Sequence, residues 1–266
     1  MKRYFDAENG NRIHWNELAE VHAESYDYRE LIKGGHVMDS IQTAEVGEVR
    51  NRSLLHLQCH IGTDTLSWAR LGANVTGVDI SPVSLNVARR LAKKADINAK
   101  FIESSIYDLP DKLDGSFDIV YTSIGVLCWL SDLSAWAGII RRYLKPGGFF
   151  YLMESHPFLW VFDDETEGLT VRYPYFHREA PNEWPADYPD YSDSDYTVKT
   201  PSWEWQWTIG DILNALVENG LKIDFFHEHD VIPWKALPSM IKGDNGFWRL
   251  PEKMDKLPLM FSLRAH

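Results

Sequence analysis

Residues 54–81, LLHLQCHIGTDTLSWARLGANVTGVDIS, constrain the fold more than any other part of the chain. An apolar run, Leu54–Gln58, meets a tight loop, an amphipathic stretch, a second apolar run over Asn74–Val78 and then an acid, Asp79. Short apolar runs alternating with a helical period predict a βαβ unit. Repeated units of this kind predict a parallel sheet with right-handed crossovers. The same stretch points to a ligand. A loop that leaves a strand and opens a helix presents free backbone N–H groups at the positive end of the helix dipole. An acid at the end of the next strand stands where a ribose would offer its hydroxyls. Asp79 lies 17 residues after Gly62, near the spacing of roughly 20 found in dinucleotide-type units. The arrangement suits an adenosine-type cofactor. A nicotinamide site would call for G-x-G-x-x-G, whereas this loop reads Q-C-H-I-G-T.

The rest of the chain extends the pattern. Ile13, Leu18, Val21, Tyr28, Leu31 and Ile32 recur with a helical period over 12–33, and Gly34–Gly35 ends that segment. Thr63 or Asp64 is expected to cap the first core helix and Gly72 to stop it. Ser81 as N-cap and Pro82 at the first helical position open the second, which runs to about Ala95. Ala99–Glu103, Phe117–Thr122 and Phe149–Glu154 read as strands, Leu133–Leu144 as a helix, and Lys145–Gly148 as a turn. A helix over Thr208–Asn219 and a strand over Leu221–His227 follow. The last strand, Leu259–Arg264, has no helix before it and is expected to pair antiparallel at the sheet's end. The expected organisation is one domain: a helical cap (1–50), a cofactor-binding core (51–155), an insertion (156–207) and a C-terminal completion of the sheet (208–266).

The insertion differs in composition. It holds 13 of the chain's 35 aromatic residues, 11 carboxylates, six prolines and three Lys or Arg. So many aromatics speak against disorder, and a long irregular insertion in a compact domain is typically a lid or binding element. The whole chain carries a net charge of −12, which argues against a broad nucleic-acid surface, since such surfaces depend on clustered Lys and Arg. Two cysteines, Cys59 and Cys128, form no CxxC pair, so neither a zinc site nor a disulfide framework is suggested. The start, MKRYFDAENG, shows no apolar signal segment, and the longest nearly apolar run, Ile119–Leu130, is too short to span a bilayer. A cytoplasmic protein with no membrane or nucleic-acid partner is expected; the oligomeric state stays open.

From Leu54 to Pro157 the chain resembles the class I S-adenosylmethionine-dependent methyltransferases, most closely a bacterial subgroup acting on small molecules. The segments that carry the likeness are LLHLQCHIGTDTLSWARLGA, VTGVDIS, IYDLP, FDIVYTSIGVLCWL, LKPGGFFYLMESHP and, near the end, PLMFSLRA. The resemblance implies an α/β, Rossmann-like, doubly wound seven-stranded sheet, mostly parallel with an antiparallel last strand. It implies S-adenosyl-L-methionine as cofactor, S-adenosylhomocysteine as product, and methyl transfer to N, O or S of a small-molecule acceptor. Carried over residue by residue, it places Gln58, Cys59, His60 and Gly62 in the cofactor loop, although His56, Gln58 and His60 stand where the family has an acid and two glycines. Asp79 matches the ribose acid and Ile80 the apolar neighbour of the adenine. Ser105 stands where an acid would meet the adenine amino group, and the Ile106 N–H is expected to donate to a ring nitrogen. Thr122 and Ser123 end the fourth strand near the reacting methyl. The departures in the loop motivate an alternative, a non-catalytic cofactor-binding or regulatory protein.

Among candidate chemical groups, His156 follows the fifth strand at the carboxyl edge and is the first candidate for a general base; a backbone-bonded loop histidine is the competing reading, and Glu154 shares the ambiguity. His227-Glu228-His229 offers no further ligand, so no metal site is expected. Asp187, Asp190, Asp193 and Asp195 could bind a cation, but read first as a solvated acidic loop. Trp15 and Tyr26 could close over the cofactor from the cap, and Trp129 and Trp160 could frame an acceptor. Alternation in W-E-W-Q-W puts Trp203, Trp205 and Trp207 on one face of a strand, for packing or for binding.

Overall fold

The computed structural model describes residues 4–254 and 257–266; residues 1–3 of the cap and 255–256 of the C-terminal part lie outside the described residues. Seven strands build one sheet: β1 (Ser53–Leu57), β2 (Asn74–Asp79), β3 (Lys100–Glu103), β4 (Phe117–Thr122), β5 (Leu144–Ser155), β6 (Ile223–His229) and β7 (Met260–Ala265). Their order is β3-β2-β1-β4-β5-β7-β6. Pairing is parallel from β3 to β5, and β7 runs antiparallel to both of its neighbours. Strand order reverses between β1 and β4, and in open α/β sheets ligands bind above the carboxyl ends at such a switch point.

Seven helices accompany the sheet: α1 (Phe5–Ser25), α2 (Arg29–Ile32), α3 (Ser40–Val46), α4 (Thr63–Arg70), α5 (Pro82–Ala95), α6 (Leu133–Tyr143) and α7 (Ile209–Glu218). One face of the sheet presents Leu55, Leu57, Val120, Phe150 and Leu152 to α6 and α7, through Trp136, Ile140, Ile212 and Leu216. The other presents Leu54, Ile119, Tyr121, Tyr151 and Met153 to Trp68 of α4 and to the C-terminal segment through Ile232, Leu237 and Leu250. Full burial of each such side chain contributes about 1.5–3 kcal/mol.

Several expectations shift. The last strand is not at the sheet's end: β7 is inserted between β5 and β6, with five of its six residues buried, and the half-exposed β6 takes the edge. Neither Thr63 nor Asp64 caps α4; Gly62, in left-handed conformation, occupies that place without a side-chain bond. Lys145–Gly148 is not a separate turn but an irregular start of β5, where the pairing register with β4 jumps. The cap helix starts at Phe5, earlier than its apolar residues suggest, because both of its sides are covered. One side lies on α5, where Ala19 and Ala23 pack with Val87 and Leu91. The other meets the insertion through polar contacts that leave no hydrophobic period.

Candidate functional site

Four chain segments meet above the carboxyl ends of β1–β4: the loop 58–62, Asp79–Ser81, Ser104–Ile106 and the loop 123–129. The first makes a sharp bend. Gln58, His60 and Gly62 all hold positive φ, of 58°, 48° and 78°. Two of these are side chains in a region that costs an ordinary residue about 1–2 kcal/mol, so the bend survives the loss of two glycines at a cost in strain. At Gly62 no substitute fits, because a Cβ would lie 2.9 Å from the Ala88 Cβ of α5.

Asp79 ends β2 and locks the bend. Its Oδ2 accepts the His60 N–H at 2.7 Å and its Oδ1 the Ser81 N–H at 2.8 Å. Burial pushes its carboxyl up to about 6, and the backbone donors offset this only in part. Each carboxylate oxygen has two lone-pair sites, and with the Ile80 N–H also acting on the group room remains for a hydroxyl donor. Nearby, Gln58 Oε1 and Thr122 Oγ1 are buried with no hydrogen-bond partner among the described residues, while the Gln58 amide donates to Val126 O at 3.0 Å. Unmatched buried acceptors are rare unless a ligand or water completes them. A bend with inward acceptors and an under-satisfied carboxylate fits an adenosyl cofactor. Ile80 borders Asp79 and is half-buried, as is Ser105, whose Oγ accepts the Tyr107 N–H at 3.3 Å; Ile106 is buried.

Other residues of the same neighbourhood turn elsewhere. Cys59 is buried behind the loop, against the Cα of Gly77, and burial pushes its thiol up, so its backbone rather than its sulfur faces the bend. The His60 ring leaves the loop, with Nδ1 3.1 Å from Ser84 Oγ on α5 and Nε2 2.9 Å from His22 Nδ1 on α1. His22 Nε2 in turn lies 3.2 Å from Asp190 Oδ2 of the insertion. Burial lowers the His60 pKa. Burial alone would raise Asp190, but the His22 and Ser192 hydrogen bonds outweigh it and hold the carboxyl at about 2. Asp190 is therefore buried and paired, not solvated as its sequence neighbours are; Asp187, Asp193 and Asp195 are exposed. Tyr26 stacks on His22 and shares its hydroxyl with His22 and Tyr191, which ties it to this chain of contacts.

Trp15 packs edge-on against His60 (centroids 4.8 Å apart) and Trp129 (5.1 Å), and His14 stacks on Trp129 at 5.9 Å. Trp15 and Trp129 are both half-buried, so α1 and the loop after β4 share an aromatic seam over the switch point. Trp160 is more exposed, with its N–H donating to Ser155 Oγ at 2.8 Å. His156 accepts the Phe158 N–H on Nδ1 and sets Nε2 3.2 Å from Glu228 of β6, beside Phe261. Its contacts thus run toward the edge of the sheet. The Glu154 carboxylate accepts the N–H groups of Gly125, Val126 and Leu127 at 2.6–3.1 Å and fixes the loop after β4. His56, between Thr65 Oγ1 (2.8 Å) and Ser123 Oγ (3.0 Å), is held neutral by burial, with a pKa of about 3. His227 bonds Glu45 and His229 bonds Ser262. Among the described residues no three His, Cys, Asp or Glu groups stand together as a metal site, and no helix is long and apolar enough to cross a membrane.

Sequence reasoning missed the His22–Asp190 link, which joins residues 168 positions apart. It also missed Gly10, where the indole of Trp203 fills the place a Cβ would take, 2.0 Å away. Trp203 and Trp205 do share a face, toward Gly10 and Tyr4 of the N-terminal segment, but Trp207 departs to stack on His177 at 3.9 Å.

The chain is similar to known methyltransferases. Residues 55–152 match the family model of the methyltransferase domain. A ubiquinone biosynthesis O-methyltransferase of Erwinia tasmaniensis is 26% identical over 59% of this chain and 66% of its own length. An uncharacterized methyltransferase of Synechocystis sp. is 34% identical over 42% of this chain and 51% of its own length. The chain thus spans between half and two thirds of these curated relatives. An S-adenosylmethionine-dependent methyltransferase structure from Mesorhizobium loti aligns over 85% of this chain and 95% of its own, with a TM-score of 0.58 and 22% identity, a likeness of fold.

Proposed function

Because the chain belongs to the class I S-adenosylmethionine-dependent methyltransferases, we propose that it catalyses methyl transfer from S-adenosyl-L-methionine to N, O or S of a small-molecule acceptor. The observation that carries this reading is the bend at 58–62 clasped by Asp79. The cofactor supplies a methyl group already activated on a sulfonium, so the protein's task is mainly to hold acceptor, methyl and sulfur in line, an effect worth up to ~7–11 kcal/mol. Asp79 receives a ribose hydroxyl. Gln58, whose Oε1 has no partner among the described residues, meets the amino-acid tail, since the Cys59, His60 and Gly62 N–H groups already donate to Val78 O, Asp79 and Cys59 O, and Ile80 and Ile106 flank the adenine. Thr122, Trp15 and Trp129 border the reacting end, where a partly dry aromatic cavity favours a step that disperses positive charge. Trp15, Trp129 and Trp160 suit an acceptor with an aromatic or otherwise apolar part.

The test is to measure S-adenosylhomocysteine formation with a panel of metabolite acceptors. Formation that depends on one acceptor class supports the reading. Tight cofactor binding with no turnover on any acceptor would favour the non-catalytic alternative.

A further inference from the structure

Glu204 stands out as a carboxylate without a cation. It ends a short strand, Ser202–Glu204, which pairs antiparallel with Asn182–Trp184. Its neighbours Trp203 and Trp205 are turned to Gly10 and Tyr4, so alternation along the strand sends Glu204 to the opposite side. That side faces the loop after β4. The Trp205 N–H donates to Cys128 O at 2.7 Å, and Glu204 lies within electrostatic reach of the Cys128 thiol, as does Glu154. The two carboxylates differ in kind. Glu154 is spent on backbone N–H groups of that loop. Glu204 is half-buried, and no Lys, Arg or His pairs with it among the described residues. The indole N–H of Trp184, which has no fully formed hydrogen bond, is turned to it, and the Tyr188 hydroxyl lies within electrostatic reach. Burial pushes its carboxyl up to about 7.

A buried ionised carboxylate costs several kcal/mol unless it is paired. Here no cation pairs with it among the described residues, and it stands beside the loop after β4, the loop that the proposed function puts next to the reacting methyl. The surroundings also select the partner's sign. The insertion has 11 carboxylates against three Lys or Arg, and the Trp184 indole beside Glu204 suits a cation; an anionic acceptor would be repelled. We propose that the acceptor is an amine that arrives protonated, and that Glu204 binds its ammonium and takes its proton. This rests on the methyltransferase reading above. In the step an N–H bond breaks with its electron pair left on nitrogen, and an O–H bond forms on Glu204. The result is a neutral amine with the lone pair that methyl transfer requires, and a carboxylic acid that later returns its proton to water. A carboxyl titrating near neutrality is matched to this exchange.

The test is calorimetric, on the full chain saturated with S-adenosylhomocysteine at pH 7.5. The probes are arylalkyl amines of increasing length (benzylamine, 2-phenylethylamine, 3-phenylpropylamine) and their matched alcohols. At least one amine is expected to bind tenfold or more tightly than its alcohol. Glu204→Gln should abolish that difference while leaving S-adenosylhomocysteine affinity within twofold of the parent. Amines that bind no better than alcohols, or a preference that survives Glu204→Gln, would overturn the proposal and leave the methyltransferase reading intact. Loss of S-adenosylhomocysteine affinity in Glu204→Gln would reassign the carboxylate to the cofactor. Failure of the parent protein to bind S-adenosylhomocysteine would instead remove the methyltransferase reading itself.

Discussion

The bend proposed as the cofactor cradle and the insertion packed on α1 are held together by different forces. The cradle is built from backbone: β1, β2 and β4 pair in register, and Asp79 accepts N–H groups from the chain on both sides of it. The insertion is held to α1 mainly through polar side chains. Asn11 exchanges two hydrogen bonds with the backbone of Trp203, Glu17 accepts from Tyr196, Lys199 and Thr200, Ser25 bonds Ser192, and His22 reaches Asp190. Water can replace most of these partners at little net cost, about 0.5–1.5 kcal/mol each. The cradle is therefore the rigid half and the cover the half that opens first. Under the proposed function, an enzyme that must admit two molecules in turn gains from that division.

Substitutions on the two sides should separate them. The largest effect is expected at Gly62→Val, which forces a β-branched residue into the left-handed region and its Cβ against Ala88. S-adenosylhomocysteine affinity should fall more than about 100-fold, since a strained bend and a clash together exceed roughly 2.7 kcal/mol. A loss under threefold would mean that the bend is not the cradle. Next is His22→Ala, which removes the partner of Asp190 Oδ2 and frees the His60 ring, while Ser192 and Asp193 keep Oδ1 bonded. Urea unfolding should show a loss of about 1–3 kcal/mol, the cost of leaving a buried acceptor without its donor, with cofactor affinity down no more than about threefold. Equal losses in both quantities would show cradle and cover to be one unit.

The pH dependence is a subtler probe. With its carboxyl near 6, Asp79 becomes protonated as pH falls below that value, and S-adenosylhomocysteine affinity should drop by up to about tenfold per unit. For fold stability the sign is the reverse. A carboxyl raised in the folded state holds its proton more tightly there, so Asp79 and Asp64, both near 6, favour folding as pH falls from about 6 toward 4. His56 opposes them: held neutral when folded, it gains a proton on unfolding below about 6.5. An affinity flat from pH 8 to 5 would show that Asp79 is not the group that titrates. The smallest effect on binding is expected at Gly10→Ala. It displaces the Trp203 ring and should cost about 1–3 kcal/mol of stability through overpacking, while changing cofactor affinity less than threefold. A larger change in affinity would tie the cover directly to the cradle.

The same division governs what the sequence discloses. β4 is legible to the residue, as is Ser81–Pro82 at the start of α5, because burial on both faces and a side-chain cap each leave a local mark. Asp79 is legible from its spacing. The left-handed Gln58 and His60 are not, since neither residue type announces that conformation and only the likeness to a glycine-bearing loop hints at it. Asp190 reads like the exposed acids around it until a histidine from α1 is brought to it by the fold. Glu204 is similarly hidden, because its isolation from cations is a property of the folded insertion, where two short bridges and one ribbon replace any periodic pattern. Local chemistry is written in the periodic half; in the other half it is assembled by contacts across 160 residues or more.

The account stands on Asp79 as the group that holds the ribose beside the bend. Calorimetric titration of S-adenosylhomocysteine into the parent protein and into Asp79→Ala tests it directly. The parent should bind with 1:1 stoichiometry, and the variant should bind at least about 100-fold more weakly, as expected for losing charge-assisted bonds worth about 1.5–3 kcal/mol each. Affinities within threefold of one another, in a variant whose unfolding transition remains cooperative, would contradict it.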